Sequence, residues 1–310
     1  MKVQWTIQLI PITVITGIAL SCWTSCATGN NVGRQSATGP GAKEWVIELP
    51  NLPEGAKKLV LVRIPAGTFS MGSPDTELGR DPDESPVHKV TITHDFYLGR
   101  YEVTQAQWAA LMPENPSTSR GMDLPVNRVS WEDCQGFLQR LNQVFKDSRF
   151  RLPTEAEREY ACRAGTSTAT YFGDNPSPED LEKHAWFREN SEGELHPVGQ
   201  KLANPWGLYD LYGNVWEWCQ DWYGPYPDEA QTNPTGPDTG KEKVFRGASW
   251  MAKPQYLRSA DRGKFPPDAQ QNTGGFRIAW GPSAGPLFGL PEGRTRRDLL
   301  FSWMPWLSTV

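Results

Sequence analysis

An irregular, loop-rich α+β fold, with few short strands and about three helices, is what this sequence predicts, and three observations carry that reading. The 310 residues include 29 Gly, 27 Pro and 14 Trp, a composition of turns pinned by aromatic side chains, unlike that of a helical bundle. Apolar residues make up 38% of the chain, enough for one large core or two small ones. Short β-branched runs outnumber the stretches with helical spacing, of which there are three. The formal net charge is −5. It leaves no basic field for nucleic acid, which is thereby excluded as a partner.

Residues 1–26 read as an export signal. Lys2 gives a thin positive start, and "WTIQLIPITVITGIAL" is an apolar core of signal-peptide length. It is too short and too Pro-interrupted to favour a transmembrane span. In "ALSCWTSCATG" a small residue precedes Cys directly after the apolar core, which resembles a bacterial lipoprotein processing site. Cys22 is the preferred lipidation position, because Leu20-Ser21 precedes it, and Cys26 is the alternative. An ordinary cleaved signal is the competing reading. The expectation is an exported protein of the bacterial cell envelope, in the periplasm or at the outer membrane, held to the membrane by a lipid anchor.

Residues 27–43, "ATGNNVGRQSATGPGAK", carry almost nothing apolar and read as a flexible linker. The folded domain is expected over 44–281. Strands are expected in "EWVIELP", in "KLVLVRIPAGTFSMGS" and on either side of Asp95. "TQAQWAALM" has helical spacing with Thr104 as N-cap. In "SWEDCQGFLQRLNQVF", Ser130 caps, Asp133 sits three residues on, and Trp131, Cys134, Phe137, Leu138 and Leu141 form one apolar stripe. "RLPTEAEREYACRAG" is a third helix, opened by Thr154 with Glu157 at the reciprocal position and closed by Gly165. From 166 to 280 the pattern is loops with short strands in "HPVGQ", "VWEWCQDWY", "VFRGASW" and "GFRIAW". Residues 282–310 form a Gly/Pro-rich and aromatic extension. Its "DLLFSWMPWL" is too short for a bilayer and is left with three roles: packing on the domain, touching a partner or resting at a membrane surface.

Three cysteines remain past the signal, Cys134, Cys162 and Cys219. An odd number argues against a disulfide framework, and buried free thiols are expected. The four histidines, His88, His94, His184 and His196, show no metal-ligand spacing and read as surface or packing residues. No nucleophile elbow is present.

Taken in order, "IPAGTFSMGS", "YEVTQAQW", "PVNRVSWEDC", "RLPTEAEREYACRAG", "NPWGLYDLYGNVWEWCQDWY", "RGASW" and "GGFRIAW" resemble the formylglycine-generating enzyme family, the sulfatase-modifying-factor domain. The resemblance covers residues 58–281 and implies a C-type-lectin-like fold. It also implies a structural Ca²⁺ in "DLYGNVWE", with side-chain ligands from Asp210 and Glu217 and backbone oxygens from Gly213 and Val215; hard oxygen donors in a turn suit that ion. Asn190 is the candidate for a second such site. The competing reading is that Asp210 and Glu217 satisfy turn amides.

Active members of the family hold Cu(I) on two cysteines that follow the Arg-Gly-Gly-Ser strand. Laid onto this chain, those positions fall at Ala252 and Leu257, which carry no metal donor, so copper is not expected and no catalytic residue is assigned. What persists is a candidate groove of Arg246, Ser249, Trp250, Tyr256, Arg258 and Arg262, with Asp261 among them. Arginines mixed with aromatics suit a peptide, a carboxylate or a sugar; alternatively the same groups knit the fold internally. The function implied is a binding or scaffold lipoprotein without oxidase chemistry, with a protein or peptide as partner. The alternatives are a divergent family enzyme and an accessory to exported sulfatases.

Overall fold

The computed structural model describes residues 41–282. The expected signal over 1–26, the lipidation candidates Cys22 and Cys26, most of the linker and the extension past Pro282 lie outside the described residues. No described helix is long and apolar enough to cross a membrane.

In chain order come β1 (Glu44–Ile47), β2 (Leu59–Ile64), β3 (Gly67–Met71), β4 (His88–Ile92) and β5 (Phe96–Gly99), then α1 (Gln105–Ala109) and α2 (Trp131–Phe145). They are followed by β6 (Phe150–Arg151), α3 (Glu155–Arg163), α4 (Pro178–His184), β7 (Trp216–Trp222) and β8 (Gln231–Thr232). The chain closes with β9 (Lys243–Arg246), β10 (Arg262–Phe265), β11 (Gly274–Gly275) and β12 (Ala279–Trp280). The sheets have orders β1-β2-β5-β12-β6, β10-β9-β7-β11 and β3-β4-β8. This is the mixed, loop-rich α+β fold expected.

The three expected helices form for the local reasons given. Ser130 Oγ accepts from the Asp133 amide at 3.0 Å while Asp133 Oδ2 accepts from the Ser130 amide at 2.9 Å. Thr154 and Glu157 make the same reciprocal pair at 3.1 and 2.9 Å. Together such contacts satisfy amides that the first helical turn leaves unpaired. On α2, Cys134, Phe137, Leu138 and Leu141 are buried, facing one of two core clusters with Trp108, Trp218 and Phe276. The second cluster gathers Val90, Phe96, Tyr160, Tyr212 and Leu257. Cys134, Cys162 and Cys219 are free thiols, all buried.

Two details correct the expectation. The seven residues of α4 form a fourth helix where loops were expected. Only Leu181 of it is buried, so no apolar period reveals it; Pro178 at its first turn and Lys183 and His184 in its last were the available signals. "HPVGQ" is no strand. Its amides go instead to Asn214 Oδ1 from His196, to the Asp123 carbonyl from Val198 and to Asp210 Oδ2 from Gly199.

For the site, the decisive feature is how α3 crosses β7, β9 and β10. Antiparallel pairing sets Glu217 opposite Arg246, and Arg246 opposite Arg262. All nine residues of α3 are buried. Its Glu155, Arg158 and Glu159, spaced to share a face, each meet a partner from that row.

Candidate functional site

Arg246 does not line a groove. It is 1% exposed, and its Nη1 donates to the carbonyls of Ala260 and Asp261, each at 2.6 Å. Nη2 donates to the Ser259 carbonyl at 3.1 Å and to Glu159. Arg258 is likewise committed, donating to Glu77 Oε1 and Glu84 Oε2, both at 2.7 Å. Ser249 is buried with its Oγ accepting from the Met251 amide at 3.3 Å. Internal knitting, the alternative left open by the sequence, accounts for these three. A guanidinium fork has five donors in fixed directions and suits clustered carbonyls. Trp250 and Tyr256 are half-buried.

Arg262 is also buried and committed, with Nη1 on the Asp83 carbonyl at 2.7 Å and Nη2 on the Gly224 carbonyl at 3.1 Å, but it lies at the wall of a cavity. It pairs with Glu155 through Nε at 2.7 Å and Nη2 at 3.0 Å, and lies 4.0 Å from the Tyr226 ring centre. The cavity measures about 400 Å³ and is lined also by His88, Asp221, Trp222 and Tyr226. Sequence reasoning missed Asp221, because nothing in "WEWCQDWY" marks one carboxylate as buried. Its Oδ2 accepts from the Glu155 amide at 2.9 Å. Burial, with Glu155 adding like charge, pushes its carboxyl up to about 8. Nearby Lys243 donates to the Gln220 carbonyl at 2.9 Å between the rings of Trp131 and Trp222; burial pulls it down to about 8.

A pH dependence follows from Asp221. Between its ordinary value near 3.8 and its folded value of about 8, the folded protein holds a proton that the unfolded chain has released. Stability contributed by this group therefore falls as pH rises through that window and is flat above it. Asp221→Asn keeps an oxygen for the Glu155 amide and cannot ionise. The variant is expected to melt higher than the parent at pH 7.5, with a smaller difference at pH 5. Equal differences at both pH values would contradict the assignment.

The implied calcium ligands do not act as a set. Glu217 Oε2 accepts from Arg158 Nε at 2.8 Å, and Oε1 accepts from Arg277 Nη2 at 2.8 Å. Burial alone would raise the carboxyl, but the two guanidiniums outweigh it and hold Glu217 ionised, below its ordinary value. An ion on Glu217 would sit against two buried cations, so Glu217 does not fit as a ligand. Asp210 differs. Its Oδ2 accepts from the Gly199 amide at 2.7 Å, while its Oδ1 is buried without a hydrogen-bond partner, and burial raises it to about 6. Beside it, Glu102 accepts from Asn214 Nδ2 at 2.7 Å and from the Val215 amide at 3.0 Å. Burial raises Glu102 well above its ordinary value, with Asp210 adding to the effect. Gly213 is required by packing: its φ is +79°, and a Cβ would come 1.9 Å from the Trp186 carbonyl oxygen. Asn190 closes a turn, accepting from the Phe187 amide at 2.8 Å and donating to the Ala185 carbonyl at 2.9 Å.

Of the positions implied for copper, Leu257 is 1% exposed within the second core cluster and Ala252 packs at its edge. Neither offers a donor atom, so copper does not fit there. Around them exposed apolar side chains stand among the exposed Lys253 and Gln255. Met251 is 44% exposed and Leu78 75%, and the turn carrying Leu78 touches this segment, since a Cβ on Gly79 would lie 3.1 Å from the Gln255 carbonyl oxygen.

A family model described as the sulfatase-modifying factor enzyme 1-like domain matches residues 51–282. The chain belongs to that family. It is 28% identical over 333 residues to the mouse (Mus musculus) formylglycine-generating enzyme, covering 84% of this chain and 86% of the enzyme. It is 29% identical over 240 residues to chaperone protein LppX of Paenibacillus barcinonensis, covering 61% and 81%. Among solved structures, Treponema denticola variable protein 1 superposes with a TM-score of 0.68 at 26% identity, covering 77% of this chain and 99% of that one.

Proposed function

We propose that this sulfatase-modifying-factor protein is an exported, lipid-anchored binding or scaffold protein without formylglycine-generating chemistry. Its partner is a protein or peptide, docked where the exposed Leu78 and Met251 and the half-buried Trp250 and Tyr256 meet solvent. The observation that carries the reading is at Leu257. The position that the family resemblance implies for a copper thiolate fills the core with an aliphatic side chain, and the three described thiols are buried in packing roles. A relative named as a chaperone supports a binding role within the family. Export and anchoring through Cys22, or Cys26, rest on the amino-terminal sequence. A structural Ca²⁺ stays in the proposal at Asp210 with the carbonyls of Gly213 and Val215, where the unpartnered Oδ1 would gain a charge partner.

A divergent enzyme is the second reading. It draws on the cavity beside Asp221, whose carboxyl titrates near neutral pH as a proton-transfer group would.

The first test loads the protein with Cu(I), adds O₂ and a Cys-x-Pro-x-Arg peptide, and reads formylglycine by mass spectrometry. No product above a protein-free control is expected. Product would overturn the proposal and mean that copper finds ligands other than positions 252 and 257.

A further inference from the structure

We infer that the cavity lined by Asp221 and His88 binds an uncharged saccharide unit. The chain joining β7 to β9 supplies much of its wall, including Pro225, Pro227, Pro234 and Pro237. Its volume of about 400 Å³ lies at the small end of the ~300–1,000 Å³ of small-molecule sites. The inference is independent of the docking surface proposed above.

Two buried side chains keep a free polar atom there. Asp221 and His88 are 3% and 5% exposed. Asp221 Oδ2 accepts from the Glu155 amide, and its Oδ1 has no partner among the described residues. His88 Nδ1 lies 3.0 Å from the Pro86 carbonyl oxygen. A carbonyl only accepts, so that nitrogen carries the proton; in the neutral ring Nε2, which has no partner among the described residues, keeps a lone pair. Neither atom is sealed in as Asp83 Oδ1 is, so the open space each touches is the cavity its side chain lines. Gly236 helps to keep Asp221 uncovered. Its φ is +71°, and a Cβ there would come 3.3 Å from Asp221 Oδ1 and 2.9 Å from Asp221 Cβ.

The charged groups of the wall are already matched. Arg262 donates to Glu155 and to the carbonyls of Asp83 and Gly224, and Glu155 accepts from Arg262 and from the Tyr226 hydroxyl. Asp221 holds its proton at neutral pH, through burial and the like charges of Glu155 and Glu157, with Lys243 opposing. An anion therefore finds no free cation and a cation no free carboxylate, which leaves an uncharged ligand. With Oδ2 accepting, the proton of Asp221 sits on Oδ1 and is available for donation. The wall thus offers a donor at Asp221, an acceptor at His88 and hydroxyls at Thr232 and Thr235. A ligand hydroxyl both donates and accepts, so a molecule carrying several of them meets all of these. The four prolines have no N–H for a peptide to pair with and present ring carbons instead. An aliphatic ring with hydroxyls at its edge fits both surfaces. Thr232, Gly236 and Pro237 are exposed, so the ligand has a way in.

The experiment is saturation-transfer NMR at neutral pH, titrating glucose, mannose, galactose and N-acetylglucosamine, with glucuronate as a charged counterpart. The variants are His88→Asn, which keeps a nitrogen donor for the Pro86 carbonyl but has no Nε2, and the near-isosteric Thr235→Val. Met251→Ser, on the docking surface, is the control. The expected result is saturable transfer to at least one neutral sugar, weakened about ten-fold in His88→Asn and about three-fold in Thr235→Val. Met251→Ser should match the parent, and glucuronate should bind more weakly than the best neutral sugar. Should His88→Asn fail to fold, Thr235→Val decides. No saturable transfer to any neutral sugar overturns the inference, as does equal affinity in the parent and Thr235→Val, or tighter binding of glucuronate. Binding lost only in Met251→Ser would place the sugar on the docking surface and also overturn it.

Discussion

Replacing Glu217 by alanine is expected to remove a large part of the domain's stability. Arg158 and Arg277 are both fully buried and both point at this carboxylate. Removing it strands two guanidiniums away from water, and breaking a buried ion pair from one side costs about 3–5 kcal/mol. A domain of this kind has about 5–15 kcal/mol in total. Arg277 retains carbonyl partners at Gly99, Arg100 and Tyr209, and Arg158 retains Leu211, so hydrogen bonding is only partly lost, while Arg158 loses its ion-pair partner and Arg277 is left with the more distant Asp210 and Glu102. Urea denaturation would show a midpoint shifted far down, or soluble yield would collapse. Glu217→Gln, which keeps the shape and an acceptor but not the charge, should fall between parent and alanine. The comparison also separates two roles. Were Glu217 a calcium ligand, Ca²⁺ would stabilise the parent against urea but not Glu217→Gln; the pairing with two arginines predicts the same response to Ca²⁺ in both. A Glu217→Ala protein with the parent's urea midpoint would remove the triad from the account of stability.

The elements readable from sequence are those whose causes are local. Ser130 with Asp133 and Thr154 with Glu157 are three residues apart, and the α2 stripe repeats within 15 residues; both signals survive without knowledge of the rest of the chain. What α3 does was not readable. Glu159 meets Arg246 across 87 positions, and Glu102 meets Asn214 across 112. No spacing rule reports a pair that long-range strand packing creates. The same limit explains why arginines that look like a ligand-binding set are mostly structural. A run of basic and aromatic residues has the same sequence whether its forks face solvent or main-chain carbonyls, and only burial distinguishes the two. In a loop-rich domain many carbonyls lack a strand partner, and Arg246, Arg258 and Arg277 are the donors that reach them. The absence of a donor atom at Ala252 and Leu257 needs no structure, because whether a side chain carries one depends on its identity alone.

Arg246→Lys is expected to destabilise the domain by about 3 kcal/mol or more while leaving the affinity of the folded fraction for a partner unchanged. The arginine serves the carbonyls of Ser259, Ala260 and Asp261 together with Glu159. A lysine has three donors on one nitrogen and cannot span that arc. Each buried acceptor left unpaired costs about 1–3 kcal/mol. The carboxylate is less exposed to the loss, because Glu159 keeps Arg163 Nε at 2.9 Å and the Gly72 amide at 2.9 Å. The damage should therefore concentrate in the 257–262 segment, whose carbonyls lose their anchor. Limited proteolysis would read it as new cleavage there, and urea denaturation as a lower midpoint. Tyr256→Ala is the converse experiment. Its ring is half-buried at the edge of the second core cluster, in the segment that carries the exposed Met251, so partner affinity should drop with a smaller loss in the urea midpoint than in Arg246→Lys. If instead Arg246→Lys kept the parent's stability and lost binding, the guanidinium would be a ligand contact and the internal role assigned to it would be wrong.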